Sequence, residues 1–117
     1  MNNKEFGKKL EQRTKEFAIN IIRLSSRLPT TIEAQIILNQ ITKSGTSIGA
    51  NYREANRSRS KADFSYKIKI CESESNETIY WLEIIEELKW AESAMLISIQ
   101  KESSELLALF TTIAKNI

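Results

Sequence analysis

The sequence predicts an all-α protein, an antiparallel up-down-up-down four-helix bundle made by a single domain over residues 1–117. Three observations carry that expectation. Gly is 3 and Pro is 1 in 117 residues, too little punctuation for a many-turned β protein. Apolar residues recur in alternating steps of three and four through four successive stretches, the signature of helices packed lengthwise. Period-two alternation, the mark of a half-buried strand, is absent. A hydrophobic fraction of 41% with 27% charged residues suits one soluble core.

The first helix is expected over about residues 4–28, with Leu10, Thr14, Phe17, Ile21, Leu24 and Leu28 as its seam. Pro29 then interrupts it, because proline disfavours helix in the residue before it, and Thr30 or Thr31 can cap a new N-terminus. The second helix, about 31–57, carries Ala34, Ile37, Ile41, Ser44, Ile48, Asn51 and Ala55. Ser60, followed three residues later by Asp63, resembles a capping box and opens a third helix over about 61–88. Its seam is Phe64, Ile68, Cys71, Ser75, Thr78, Leu82 and Ile85. Neither Gly nor Pro marks the break after Leu88, and Ser93 is the expected cap of a fourth helix over about 93–116. That helix carries Leu96, Ile99, Ser103, Leu106, Phe110, Ile113 and Ile117. Short connections make consecutive helices antiparallel neighbours, each roughly 33–42 Å long at about 1.5 Å per residue.

Two departures from plain seams carry information. Helix 2 places Gly45 and Gly49 in its interior, where each glycine costs about 1 kcal/mol relative to alanine. Such a pair fits close approach of another backbone, within the bundle or between subunits; a locally weak or kinked helix is the alternative. Polar residues also lie on or beside the seams: Asn51 and Glu54 on helix 2, and Glu74, Glu77 and Tyr80 on helix 3. A buried amide or carboxylate needs partners. Asn51, Glu54, Glu77 and Tyr80 are therefore expected to form a structural network, Asn51 and Glu77 meeting across helices 2 and 3 and Tyr80 or Arg53 completing the set. A ligand pocket and simple solvation are the alternatives. Ile19, Ile22, Ile36, Leu38, Trp81, Ile84, Trp90, Leu107 and Leu109 lie off the seams, and a second apolar stripe suggests self-association.

The sequence contains no His. Ser-His-Asp and Cys-His nucleophilic systems, most zinc sites and the Glu-x-x-His pairs of carboxylate-bridged iron bundles are thereby removed. Glycines at 7, 45 and 49 build neither a Walker-type phosphate loop nor a dinucleotide fingerprint. Glu74, Glu77 and Glu83 have helical spacing, but carboxylates so placed are ordinarily a solvated face. The chain is accordingly expected to be no enzyme, with no catalytic residues, cofactor or metal.

Net charge is only +2, unevenly spread. Residues 53–69 hold Arg53, Arg57, Arg59, Lys61, Lys67 and Lys69 against Glu54 and Asp63, a balance of +4. Residues 72–92 hold seven glutamates against Lys89, a balance of −6. A solvated helix surface accounts for either block; the basic one is also a candidate RNA- or DNA-binding surface. No apolar run approaches the roughly 18 residues of a membrane span, and a charged N-terminal stretch including Lys8, Lys9, Glu11, Arg13 and Lys15 is unlike a secretory signal. With a single Cys71 nothing argues against a reducing compartment, and the cytoplasm is expected, without membrane association.

The stretch Ser44-Gly45-Thr46-Ser47-Ile48-Gly49-Ala50-Asn51-Tyr52-Arg53-Glu54-Ala55, with Arg57, Ser58, Lys61, Phe64 and Lys67 after it, resembles the central motif of a bacterial four-helix bundle family. That family includes the proteins encoded in intervening sequences of 23S ribosomal RNA genes. The run Glu74-Ser75-Asn76-Glu77-Thr78-Ile79-Tyr80-Trp81-Leu82-Glu83 is similar to the same family's third helix, and helix 1 and Pro29 fall where the family has them. The resemblance implies an antiparallel protomer assembled into a ring-like homopentamer. A related branch, the accessory variability proteins of diversity-generating retroelements, is similarly pentameric and binds reverse transcriptase and nucleic acid through a basic surface. Those proteins are strongly basic, whereas this chain is +2 with an acidic helix 3. Two functions follow as expectations: an oligomeric scaffold whose ligand is another protein, or an RNA-binding accessory protein using residues 53–69.

Overall fold

A computed structural model of the protein describes residues 3–117; Met1 and Asn2, the first positions of the expected domain, lie outside them. Four helices account for nearly all of it: α1 (Asn3–Ser25), α2 (Ile32–Ala55), α3 (Lys61–Glu87) and α4 (Ser93–Lys115), with no strand among the described residues. Each helix buries one stripe because its apolar residues return to the same face every three or four positions. On α1 that stripe is Leu10, Thr14, Phe17, Ile21 and Leu24, and on α4 it is Leu96, Ile99, Ser103, Leu106 and Phe110. Phe17, Ile21, Ile48, Ile68, Leu82 and Phe110 are among the fully enclosed side chains, each contributing roughly 1.5–3 kcal/mol through burial.

Cross-helix contacts fix the direction of every neighbour. Gly49 of α2 lies against Thr14 of α1, and Gly45 against Ile21; Ser25 Oγ stands 2.9 Å from Thr42 Oγ1. Numbers falling on one helix as they rise on the other mean antiparallel packing. Thr78 Oγ1 lies 2.9 Å from Ser44 Oγ and the Cys71 thiol 3.5 Å from the Ile48 carbonyl, which sets α3 antiparallel to α2. Thr111 donates to Glu72 at 2.8 Å between α4 and α3. Arg13 reaches Glu102 and Glu105, closing α4 back on α1. The product is an up-down-up-down bundle measuring 44 × 25 × 20 Å.

The helix ends follow from local chemistry. Thr31 Oγ1 accepts the Ala34 N–H at 3.2 Å, and Ser60 Oγ accepts the Asp63 N–H at 3.1 Å, so each satisfies a donor that has no partner within its helix. α1 stops at Ser25, three residues short of the expected end, although Leu28 stays buried in the turn beyond it. The break after α3 is made by Lys89, whose φ of 56° is the left-handed conformation. Its N–H bonds the Glu86 carbonyl at 3.0 Å while the Trp90 N–H bonds that of Ile85 at 3.1 Å, the paired bonds of a Schellman motif. Ser93 is the first residue of α4 rather than its cap; Glu92 holds the cap position without a side-chain hydrogen bond.

The expected Asn51–Glu77 network does not form. The α2–α3 register that sets Ser44 against Thr78 and Glu54 against Lys67 leaves Asn51 and Glu77 about seven residues apart along the axes, about 10 Å. Asn51 instead donates to the Ser47 carbonyl of its own helix at 2.9 Å. Tyr52 takes the core position given to Asn51, buried and edge-on to Phe110 at 5.5 Å. Glu54 bonds Lys67, Glu77 is exposed, and Tyr80 is exposed with its ring edge-on to Trp81 at 5.0 Å. In the buried interior the side-chain pair that crosses between α2 and α3 is Ser44 with Thr78, both fully enclosed.

Candidate nucleic-acid interface

α2 and α3 meet in the turn at residues 56–60, and the antiparallel topology brings the start of α1 and the end of α4 to the same end of the bundle. Arg57 and Arg59 stand exposed in that turn and Lys61 on the first turn of α3. Arg59 and Lys61 border a hollow of about 600 Å³ that Phe64 and the C-terminal Asn116 and Ile117 complete.

The six predicted cations are not equivalent. Arg53 points from α2 toward α1 and pairs with Glu11 at 3.6 Å. Lys67 donates to Glu54 at 2.9 Å, and that hydrogen bond raises its ammonium pKa. Arg57, Arg59, Lys61 and Lys69 have no carboxylate partner among the described residues. Lys69 follows Lys67 by two residues, a rotation of about 200°, so those two lysines leave α3 on opposite sides. The six therefore frame one end of the bundle without forming one flat patch.

The fold adds cations that the linear reading did not group with them. Lys4, Lys8 and Lys9 at the start of α1 and Lys115 at the end of α4 share this end, and their local sequence blocks gave no sign of it. Residues 3–12, 51–69 and 108–117 together carry ten basic side chains against four acidic ones, Glu5, Glu11, Glu54 and Asp63. The remainder, residues 13–50 and 70–107, carries seven basic against eleven acidic. A chain of net +2 is thus a strongly polarised body, +6 at one end and −4 over the rest. Such separation creates a field that a net charge conceals.

Chemistry of other kinds is thin. Cys71 is buried, and burial pushes its thiol pKa up to about 12, so it stays an inert thiol at neutral pH. Glu74 has its carboxyl pKa raised, first by burial and then by the charge of Glu77, with Lys43 acting oppositely. No cluster of three or more His, Cys, Asp or Glu suited to a metal occurs among the described residues, and none of their helices is long and apolar enough to cross a membrane.

Between α1 and α2 runs a hollow of about 560 Å³, floored by Thr14, Ala18, Gly49 and Ala50 and edged by Lys15, Arg53 and Arg57 with Glu11 and Glu54. Gly45 and Gly49 let α1 and α2 approach closely alongside it. A Cβ at Gly45 would stand 2.9 Å from two Ile21 carbons, and one at Gly49 3.0 Å from Thr14 Oγ1.

A family model described as 23S rRNA-intervening sequence protein matches residues 8–112, which include the whole basic segment. The chain is also similar to a crystal structure of a protein with unknown function from the S23 ribosomal protein family of Bacteroides thetaiotaomicron VPI-5482. That similarity is 37% identity over 93% of this chain and 97% of the other, with a TM-score of 0.84. No curated protein matches the chain.

Proposed function

The chain belongs to the 23S rRNA-intervening sequence protein family, and from that premise we propose that it is a non-enzymatic, self-associating binding protein of the cytoplasm. The observation that carries this reading is apolar surface left uncovered by a bundle whose core is already filled. Ile32 is 78% exposed and Ile36 56% exposed on α2, and Ile97 60% exposed on α4. Ile22, Tyr66 and Tyr80 are more than half exposed as well. Single exposed apolar residues are ordinary, but Ile32 and Ile36, on successive turns of α2, make continuous apolar surface of the kind that marks a contact. A homopentameric ring, implied by resemblance, is the assembly proposed. Light scattering on a size-exclusion column tests it: a particle of several times 13.4 kDa is expected at micromolar concentration, and a monomer there would refute self-association.

Charge polarity favours a second reading, in which the basic end takes RNA. Repetition of that end around a symmetric assembly multiplies modest contacts into useful avidity. Arg57, Arg59, Lys61 and Lys69, free of carboxylate partners among the described residues, are the side chains proposed to meet phosphates. Affinity for an RNA oligonucleotide should fall steeply between low and moderate salt as counterions are released. Affinity that is undetectable, or unmoved by salt, would set this reading aside in favour of a protein ligand.

A further inference from the structure

The hollow between α1 and α2 and the outward face of α3 are complementary surfaces of one chain. Along the hollow, Glu11 is taken up by Arg53 and Glu54 by Lys67, whereas Lys15 and Arg57 have no carboxylate partner among the described residues. Its floor is low because Gly49 and Ala50 raise almost nothing above the backbone. Ile22, one turn beyond Ala18 on the same side of α1, continues it as apolar surface and is 51% exposed.

Tyr80 on α3 has the opposite shape and charge. Its ring is 57% exposed and braced edge-on against Trp81. Glu77 and Glu83 stand one turn to either side of it and Glu87 two turns on, all exposed and none ion-paired among the described residues. An aromatic flanked by carboxylates matches a shallow hollow flanked by an ammonium and a guanidinium, in which a ring gains contact area at little entropic cost and the rim charges select the partner.

We propose that the α1–α2 hollow of one copy receives the Tyr80 face of α3 from a second copy. The proposal rests on the self-association reading and names its contact. Hollow and knob are different surfaces, so the contact is heterologous: each copy uses one of each, and assembly continues until a ring closes or a filament grows.

Two exposed-site variants test it. Tyr80→Ser removes the knob; Ala50→Trp fills the hollow from an exposed position. Helical circular dichroism confirms that each is folded, and light scattering reads mass. Each variant alone is expected to associate at least tenfold more weakly than the unaltered protein. Mixed one to one, they should form a heterodimer and nothing larger, because the mixture retains one intact hollow and one intact knob per pair. Folded variants that keep the unaltered mass would overturn the assignment while leaving self-association standing. An unaltered protein that is itself monomeric would remove both. Should Ala50→Trp weaken RNA binding while the mass stays unchanged, the hollow takes a polyanion rather than a second copy, and the proposal fails.

Discussion

The guanidinium of Arg13 donates to both carboxylate oxygens of Glu102, at 2.6 and 2.7 Å, and to Glu105 at 2.9 Å, tying α1 to α4. The fork of donors matches a carboxylate pair in one plane, and the two acceptors hold the arginine pKa above its ordinary value. α1 and α4 form the least extensively packed neighbouring pair of the bundle, so this bridge bears more of the joint than a surface pair normally would. Both partners remain about a third exposed, which keeps its worth near the upper end of the exposed-pair range. Arg13→Ala should lower stability by about 1 kcal/mol, or about 4 °C in Tm for a chain of this length. A double-mutant cycle with Glu102→Ala, read by urea unfolding, should return a coupling of about 0.5–1 kcal/mol that shrinks in high salt.

Gly45 is expected to be intolerant of a methyl group. A Cβ there would meet Cγ1 and Cγ2 of Ile21 at 2.9 Å and its Cβ at 3.2 Å, and Ile21 is wholly enclosed with no room to yield. The helix-propensity gain of Gly→Ala, about 1 kcal/mol, should lose to overpacking, which typically costs 1–3 kcal/mol. Gly45→Ala should therefore be destabilising by about 1 kcal/mol. The sign should reverse once Ile21 is shortened: Gly45→Ala introduced into Ile21→Ala should stabilise that variant. Chemical denaturation of the four proteins measures both values, and a destabilisation that persists without Ile21 would refute the steric cause.

Much of this bundle was legible in the sequence because three-four spacing encodes burial directly. The expected seam of α1 is buried at every position, and that of α3 at every position from Ile68 to Ile85, its first residue Phe64 being half-buried. What failed was information that spacing does not carry. A step from Ile48 to Asn51 and one from Ile48 to Tyr52 both satisfy the period, and the aromatic residue won because its ring fills space against Phe110 while Asn51 can satisfy its amide on its own helix. Pairing Asn51 with Glu77 needed the axial register of two helices, which neither helix states alone. The basic end shows the same limit: Lys8 and Arg57 are distant in sequence, and only the antiparallel path makes them neighbours of one surface.

Lys89 offers a stabilising change. Its φ of 56° places an L side chain in the left-handed region, which costs roughly 1–2 kcal/mol for residues other than glycine. The hydrogen bonds that require this conformation, Trp90 to Ile85 and Lys89 to Glu86, involve only the backbone and survive the change. Lys89→Gly should raise stability by about 1 kcal/mol, with the increased flexibility of the unfolded chain offsetting part of the gain. Thermal unfolding measures it, and Lys89→Ala, which keeps the Cβ, should give no comparable gain.

Glu74 gives the pH dependence of stability a recognisable component. Its carboxyl pKa is raised in the folded protein, by burial first and by Glu77 second, so across the titration window the folded state holds more proton than the unfolded one. Stability from this group must then fall as pH rises. The sign places the full benefit of the protonated form below the unfolded pKa of about 4.3, and the full penalty of the charged form above the raised folded value. Glu74→Gln removes the charge at every pH while keeping the shape. Measured by urea unfolding, it should stabilise the protein at pH 7 and lose that advantage as the pH falls below about 4. An advantage equally large at both pH values would mean that the carboxylate's charge is not its source.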